Sequence, residues 1–267
     1  MKIKKDSFIY SVIILISWMS LSSCAFFRQT MRKEKMLSSS VKTNNFVLTD
    51  KSGKFNFIRE AGFIKGKNEF VVKRKVIASD DPSKLLEKSI VISNPGKYNG
   101  VNLLRPKISQ YSVWFDKKKY FTEMKISPKE KSLYVKTISP EKQWNGEAQI
   151  KFPKMTGVYC FFSQVLDCAS FTGFIDEATK RQAGSMRMLI IWEGYPYFQE
   201  QYLNIPNEVF TEAVFEYDGK NRNNERRFTL KVAGQQIFYF IHKDNSFKKM
   251  FWIVQGLSIV PNNIPQK

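Results

Sequence analysis

Cysteine, histidine and carboxylate side chains are the groups in this sequence with chemistry to offer. They are sparse, with three Cys and one His in 267 residues. Cys160 and Cys168 stand eight positions apart. On a continuous helix that spacing holds their Cα atoms about 12 Å apart, and on a strand farther, whereas a disulfide needs less than about 7 Å. A bridge therefore predicts a turn or helix start between them, and closing so short a loop contributes about 2.5 kcal/mol in the chain-entropy description. The other outcome is a pair of buried free thiols; spacing alone leaves both open. Two Cys and one remote His fall short of a zinc site. His242 ends an apolar run, where a surface or hydrogen-bonded role is the expectation. Asp167, Asp176, Glu177 and Glu193 are carboxylates that any fold could bring together as an acid/base pair, and no spacing singles out two of them. The sequence has no Gly-x-Ser-x-Gly elbow, phosphate-binding Gly loop or His-Glu-x-x-His helix. No catalytic residue, metal or cofactor is assigned, and a hydrolase is the third-ranked reading.

The third cysteine has a more specific context. Residues 8–21 are uncharged and largely apolar, Lys2, Lys4 and Lys5 precede them, and Leu21-Ser22-Ser23-Cys24 follows. A charged segment, an apolar segment and small residues before a cut are the parts of an export signal. With Leu-Ser-Ser-Cys in place, residues 1–24 resemble the signal peptide of bacterial lipoproteins. That resemblance implies that Cys24 takes a thioether-linked diacylglycerol and becomes the first residue of the mature chain. Ala25, in place of Asp, implies the outer membrane where the cell has two. Two alternatives stay open: an uncleaved helix, since residues 8–27 run without a charge for a length that spans a bilayer, and cleavage to a soluble product.

Removal of residues 1–23 leaves a chain long enough for one large β domain or two small domains. A tether over residues 24–50 is expected next, polar and without sustained periodicity, followed by a single β-rich domain over 51–267. The net charge is +19. In an exported protein such a charge is expected to meet anionic lipid or an envelope polymer, and nucleic acid is not the expected partner. Arg28, Arg32, Lys33 and Lys35 in the tether fit anionic head groups equally. The oligomeric state is not legible.

From residue 55 onward short alternating segments are broken by turn chemistry. They read as strands at 55–58, 69–78, 89–93, 108–115, 120–126, 133–138 and 147–152. After a helix somewhere in 163–182, strands resume at 186–192, 197–202, 209–217, 227–233, 235–242 and 250–260. The connections are too short for crossover helices, which predicts a mainly β fold: an antiparallel meander, curved as a half-barrel or sandwich, with one helix. Residues 188–192, 237–241 and 250–254 are apolar on both faces, so the second face must meet protein or ligand. Trp192, Phe238, Phe240 and Trp252 are accordingly the candidate lining of an apolar-ligand site. The expected function is a membrane-anchored envelope lipoprotein whose β domain binds a lipid or other apolar ligand. The alternative is an assembly or adhesion protein that binds another envelope component through its β edges and basic face.

Overall fold

The computed structural model describes residues 42–64, 66–153 and 157–262. The expected export signal, Cys24 and residues 24–41 of the expected tether lie outside the described residues. The remainder of that tether does not. Residues 42–50 form a full strand, β1 (Lys42–Asp50), so the domain starts nine residues before the expected boundary at 51. Its polar first half hides the alternation that Phe46 and Leu48 carry into the core.

Among the described residues fifteen strands make one sheet. After β1 come β2 (Gly53–Phe63), β3 (Phe70–Ala78), β4 (Leu85–Tyr98), β5 (Val101–Phe115), β6 (Lys118–Ser127), β7 (Ser132–Ile138) and β8 (Gly146–Lys151), joined in sequence as antiparallel neighbours. The second half holds β9 (Val158–Phe161), helices α1 (Val165–Phe171) and α2 (Phe174–Arg181), β10 (Ser185–Ile191) and helix α3 (Tyr197–Glu200). It continues with β11 (Phe210–Lys220), β12 (Arg226–Val232), β13 (Gln235–Ile241), β14 (Phe247–Trp252) and β15 (Leu257–Pro261). β1 pairs with β15, which joins the two meanders into one sheet, and β8 and β9 are left as its two ends. The mainly β expectation therefore holds, with one departure: β9 and β10 run parallel, because α1 and α2 form a crossover between them.

Alternation decides which side chains enter the interior. β2 sends in Phe57, β5 Tyr111 and Val113, and β12 Phe228 and Leu230, and these meet α1 and α2 through Val165, Leu166, Ala169, Ile175 and Ala178. A second cluster lies where Val72, Val91, Met124 and Leu133 from the first meander meet Phe161 and Ile191 from β9 and β10. Each such fully buried side chain contributes roughly 1.5–3 kcal/mol, enough together to hold the two halves face to face.

The single helix expected in 163–182 is two. Gly173, at φ 82°, turns the chain between α1 and α2, and the Phe174 N–H is accepted by the Thr172 hydroxyl at 3.2 Å. α2 carries Asp176 and Glu177 in its first turn and Lys180 and Arg181 in its last, the arrangement that the helix dipole favours. The strand expected at 197–202 is instead α3 and its following turn. A short apolar run has no period long enough to separate strand from helix, and here the backbone N–H groups of Phe198 and Gln201 bond locally to Gly194 and Phe198 carbonyls. The strand expected at 250–260 is broken after Trp252 by a tight turn ending at Gly256, at φ 64°, which separates β14 from β15.

Candidate functional site

The four residues expected to line an apolar site do not share a face. Phe238 and Phe251 are register partners across β13 and β14, which puts Trp252 on the opposite side of the sheet from Phe238 and Phe240. Phe238 and Phe240 are on the outer face under cations, with the Arg227 guanidinium 5.8 Å and the Lys249 ammonium 4.6 Å from their ring centroids. Trp192 and Trp252 point inward, at 0% and 1% exposure. The space between them is filled by protein rings. Phe162 lies 4.8 Å from Trp192 and 5.7 Å from Trp252, Phe198 stacks on Trp192 at 5.3 Å, and Tyr202 stacks on Trp252 at 5.0 Å. Trp192 and Trp252 are thus met by α3 and the segments flanking it, and the four residues expected to line one aromatic concavity fall on two faces of the sheet.

Cys160 and Cys168 are joined by a disulfide, with Cα atoms 6.5 Å apart. The end of β9 and the start of α1 supply the turn that the spacing demanded. Both half-cystines are fully buried beneath Leu104, Phe70 and Phe171. His242 is exposed in the β13–β14 turn, where its N–H bonds to the Ser246 carbonyl. It lines an open groove of about 620 Å³ with Asn44, Asn56 and Phe247, but no carboxylate lies in that lining. Among the described residues no group of His, Cys, Asp and Glu gathers to hold a metal ion.

The buried carboxylates are paired with cations, and two of them, Glu87 and Glu193, share one. Arg59 binds Asp167 at 2.5 Å, and burial pushes the Asp167 carboxyl up against the pull of that guanidinium. Glu193, fully buried, accepts from the Ser163 N–H at 3.2 and 3.3 Å and lies 3.3 Å from Arg74. Arg74 also binds Glu87 at 3.1 Å. Burial alone would lower the Arg74 guanidinium, but Glu193 and Glu87 outweigh it and raise it; burial raises the Glu87 carboxyl despite Arg74. Tyr111 and Tyr202 close the cluster, their hydroxyls pushed up chiefly by burial, and Gln201 donates to the Tyr111 oxygen. Around it Ser93 donates to Gln164, Ser109 to the Glu193 carbonyl and Thr122 to the Tyr195 carbonyl. Polar groups facing inward from β3 to β6 thus hold the segments at 163–164 and 193–202. Arg74 and Glu87 are not among the candidate residues that the sequence singles out. The available signal was their parity, since Arg74 shares a face with Val72 and Val76.

The arrangement is tightly packed at Gly194. Gly194 passes so close to its neighbours that a Cβ there would stand 2.7 Å from the Phe198 Cβ and 2.8 Å from the Tyr111 ring. The surface offers two other features. One is the edge of β8, which among the described residues pairs only with β7 and whose residues Gly146 to Gln149 are exposed. An open groove of about 560 Å³ runs beside it, lined by Ile150, Lys151, Leu189, Tyr195, Val209 and Phe210.

The second is the end of the domain at which β1 begins. There Glu225 receives Lys248 at 2.5 Å, Lys249 at 2.7 Å and Asn221 at 2.7 Å. Burial alone would raise its carboxyl, but these donors hold it at about 2 against an ordinary 4.5. Asp244 is held at about 2 against 3.8, first by the Ser246 hydroxyl, then, with burial opposing, by the Ser246 N–H and Lys42. Both carboxyls lie lower in the folded than in the unfolded chain. Their stabilisation is therefore complete above the ordinary values and lost as pH falls toward about 2. Thermal melts followed by circular dichroism should show the midpoint falling through that window. The Glu225→Gln/Asp244→Asn protein should melt lower at neutral pH and change less on acidification.

No family model and no curated protein matches this chain. Among solved structures it is similar to a β-barrel-like protein of the domain of unknown function DUF1849 from Brucella abortus, at 9% identity and a TM-score of 0.43. The alignment covers 82% of this chain and 93% of that one.

Proposed function

We propose that this chain is a cell-envelope lipoprotein, held on the membrane through acylated Cys24, whose β domain binds an extended segment of another envelope protein at the free edge of β8. The outer membrane is the proposed location in a cell with two. The observation that carries the binding half of this reading is the linear strand order, which leaves β8 with β7 on one side and an open groove on the other. Strand addition uses main-chain donors and acceptors for affinity and flanking pockets for side-chain choice, and β8 with its groove supplies both. Ile150, Tyr195, Val209 and Phe210 give the groove an apolar floor, and Lys151, Glu208 and Glu212 give it charged margins. The rings of Phe162, Phe198 and Tyr202 packed on Trp192 and Trp252 favour a surface role over a ligand held between those two indoles.

A photoreactive amino acid at Ala148, installed in living cells, tests the reading. A crosslinked adduct with a second envelope protein is expected from position 148 and not from Lys231 on β12. Recovery of the lone chain from both positions would overturn it. The anchor is tested separately, because Cys24→Ala should abolish labelling by fatty-acid precursors; retained labelling would refute acylation at that residue.

A further inference from the structure

The connections at the two ends of the first meander differ in charge. At the end where β1 starts, the 66–69 loop, the β4–β5 hairpin and the β6–β7 turn carry exposed Lys67, Lys97, Arg105, Lys129 and Lys131. The acids there are engaged: Glu69 binds Lys107 at 2.6 Å, and Glu130 accepts from the Tyr134 hydroxyl. At the opposite end exposed Lys51, Lys54, Lys84, Lys117, Lys118, Lys119 and Lys142 are interspersed with Asp80, Asp81, Asp116 and Glu141, and Lys118 pairs with Glu141 at 3.3 Å. The second meander adds exposed Arg222 and Lys243 to the basic end.

That end also carries an apolar point. β4 and β5 run past their neighbours, since β3 pairs only as far as Ser93 and β6 begins pairing at Ile108, while β4 and β5 stay paired to Tyr98 and Val101. The arm therefore runs five paired positions, roughly 16 Å, past those strands, with Leu103 and Leu104 buried at its base and its tip exposed. Asn99 and Gly100, at φ 46° and 80°, form the tight turn at its tip, and Tyr98 and Val101 beside it are each 45% exposed. Arg105 folds back across Gly96 and donates to the Lys97 carbonyl, which keeps a guanidinium near the tip. A Tyr and an aliphatic side chain amid Lys and Arg match a bilayer interface, where the ring sits at head-group level and the cations meet anionic lipid.

We infer that the β4–β5 hairpin tip and the surrounding Lys and Arg dock this end of the domain on an anionic lipid surface. The inference rests on the anchored reading above. Lys42, at the same end, stands 18 residues from Cys24, a span of at most about 60 Å. Docking would fix the domain's orientation and turn the opposite end, where acids are interspersed with Lys and Leu203, Ile253 and Val254 are exposed, away from the membrane.

The test uses the full chain in nanodiscs of phosphatidylcholine alone or with added phosphatidylglycerol, with an environment-sensitive fluorophore on Val101→Cys or, as a control, Ile253→Cys. A blue shift is expected at position 101 on the anionic nanodiscs, reversed by about 0.5 M salt because surface charge is then screened. None is expected at position 253, and Lys97→Glu with Lys129→Glu and Lys131→Glu should remove the shift at 101. Solvent-like emission at 101 on both lipids, or a shift at 253 instead, would overturn the inference. So would a shift at 101 produced by a soluble polyanion but not by anionic lipid. Nanodiscs retain the chain by an acyl group or by an apolar helix alike, so failure of Cys24 acylation leaves this readout intact.

Discussion

Arg74→Ala is expected to destabilise the domain by about 3–5 kcal/mol, because it strands two buried carboxylates without their shared cation. In a domain of this size that corresponds to a fall in melting temperature of roughly 10 °C. Arg74 holds Glu87 from the neighbouring strand and Glu193 from the segment that follows β10, so its loss also releases the chain carrying α3. The effect should depend on pH. Burial already raises the Glu87 carboxyl, and without the guanidinium it rises further. A raised carboxyl means that the folded state binds more protons than the unfolded state, so stability falls as pH increases. The deficit should therefore be larger at pH 8 than at pH 5. Adding Glu87→Gln and Glu193→Gln to Arg74→Ala should restore part of the loss by removing the unpaired charges. Urea unfolding at the two pH values measures both; equal deficits at both would mean that Arg74 acts through packing alone.

The same cluster explains what the sequence made legible and what it did not. Strand existence followed from alternation and turn residues, since Tyr120, Thr122, Met124 and Ile126 fall on one face whatever the tertiary context. Partners did not follow. The odd register between Phe238 and Phe251 separates Phe238 and Phe240 from Trp252, and no local pattern in β13 or β14 states that offset. Asn99-Gly100 is a strong local hairpin signal, yet the expected strands stopped at Ser93 and resumed at Ile108 because Pro95, Gly96 and Pro106 punctuate the arm. Arg74 was hidden for another reason. Between Lys73 and Lys75 it resembles a solvated charge, and only the inward course of Val72 and Val76 marks it as buried. The disulfide was constrained by geometry, while its occurrence depended on a crossover that composition does not encode.

Trp192→Ala should have a comparable effect and also bears on what the interior can accept. The indole is fully buried, touches Phe162 and Phe198, and donates from Nε1 to the Thr211 hydroxyl at 2.9 Å. Truncation removes the largest class of core side chain, leaves a cavity among rings held on separate strands and helices, and unpairs a hydroxyl. The expected loss is about 3–5 kcal/mol. Collapse into the gap is limited, because Phe198 is held by the close approach of Gly194 and Phe162 is wedged against Trp252. A dry apolar cavity of this kind binds small aromatic molecules. Indole should therefore raise the melting temperature of the Trp192→Ala protein and leave that of the native protein unchanged, since in the native protein the side chain itself occupies the space. Stabilisation of the native domain by indole would instead mean that a second apolar space exists. An internal ligand would then regain ground over strand addition at β8.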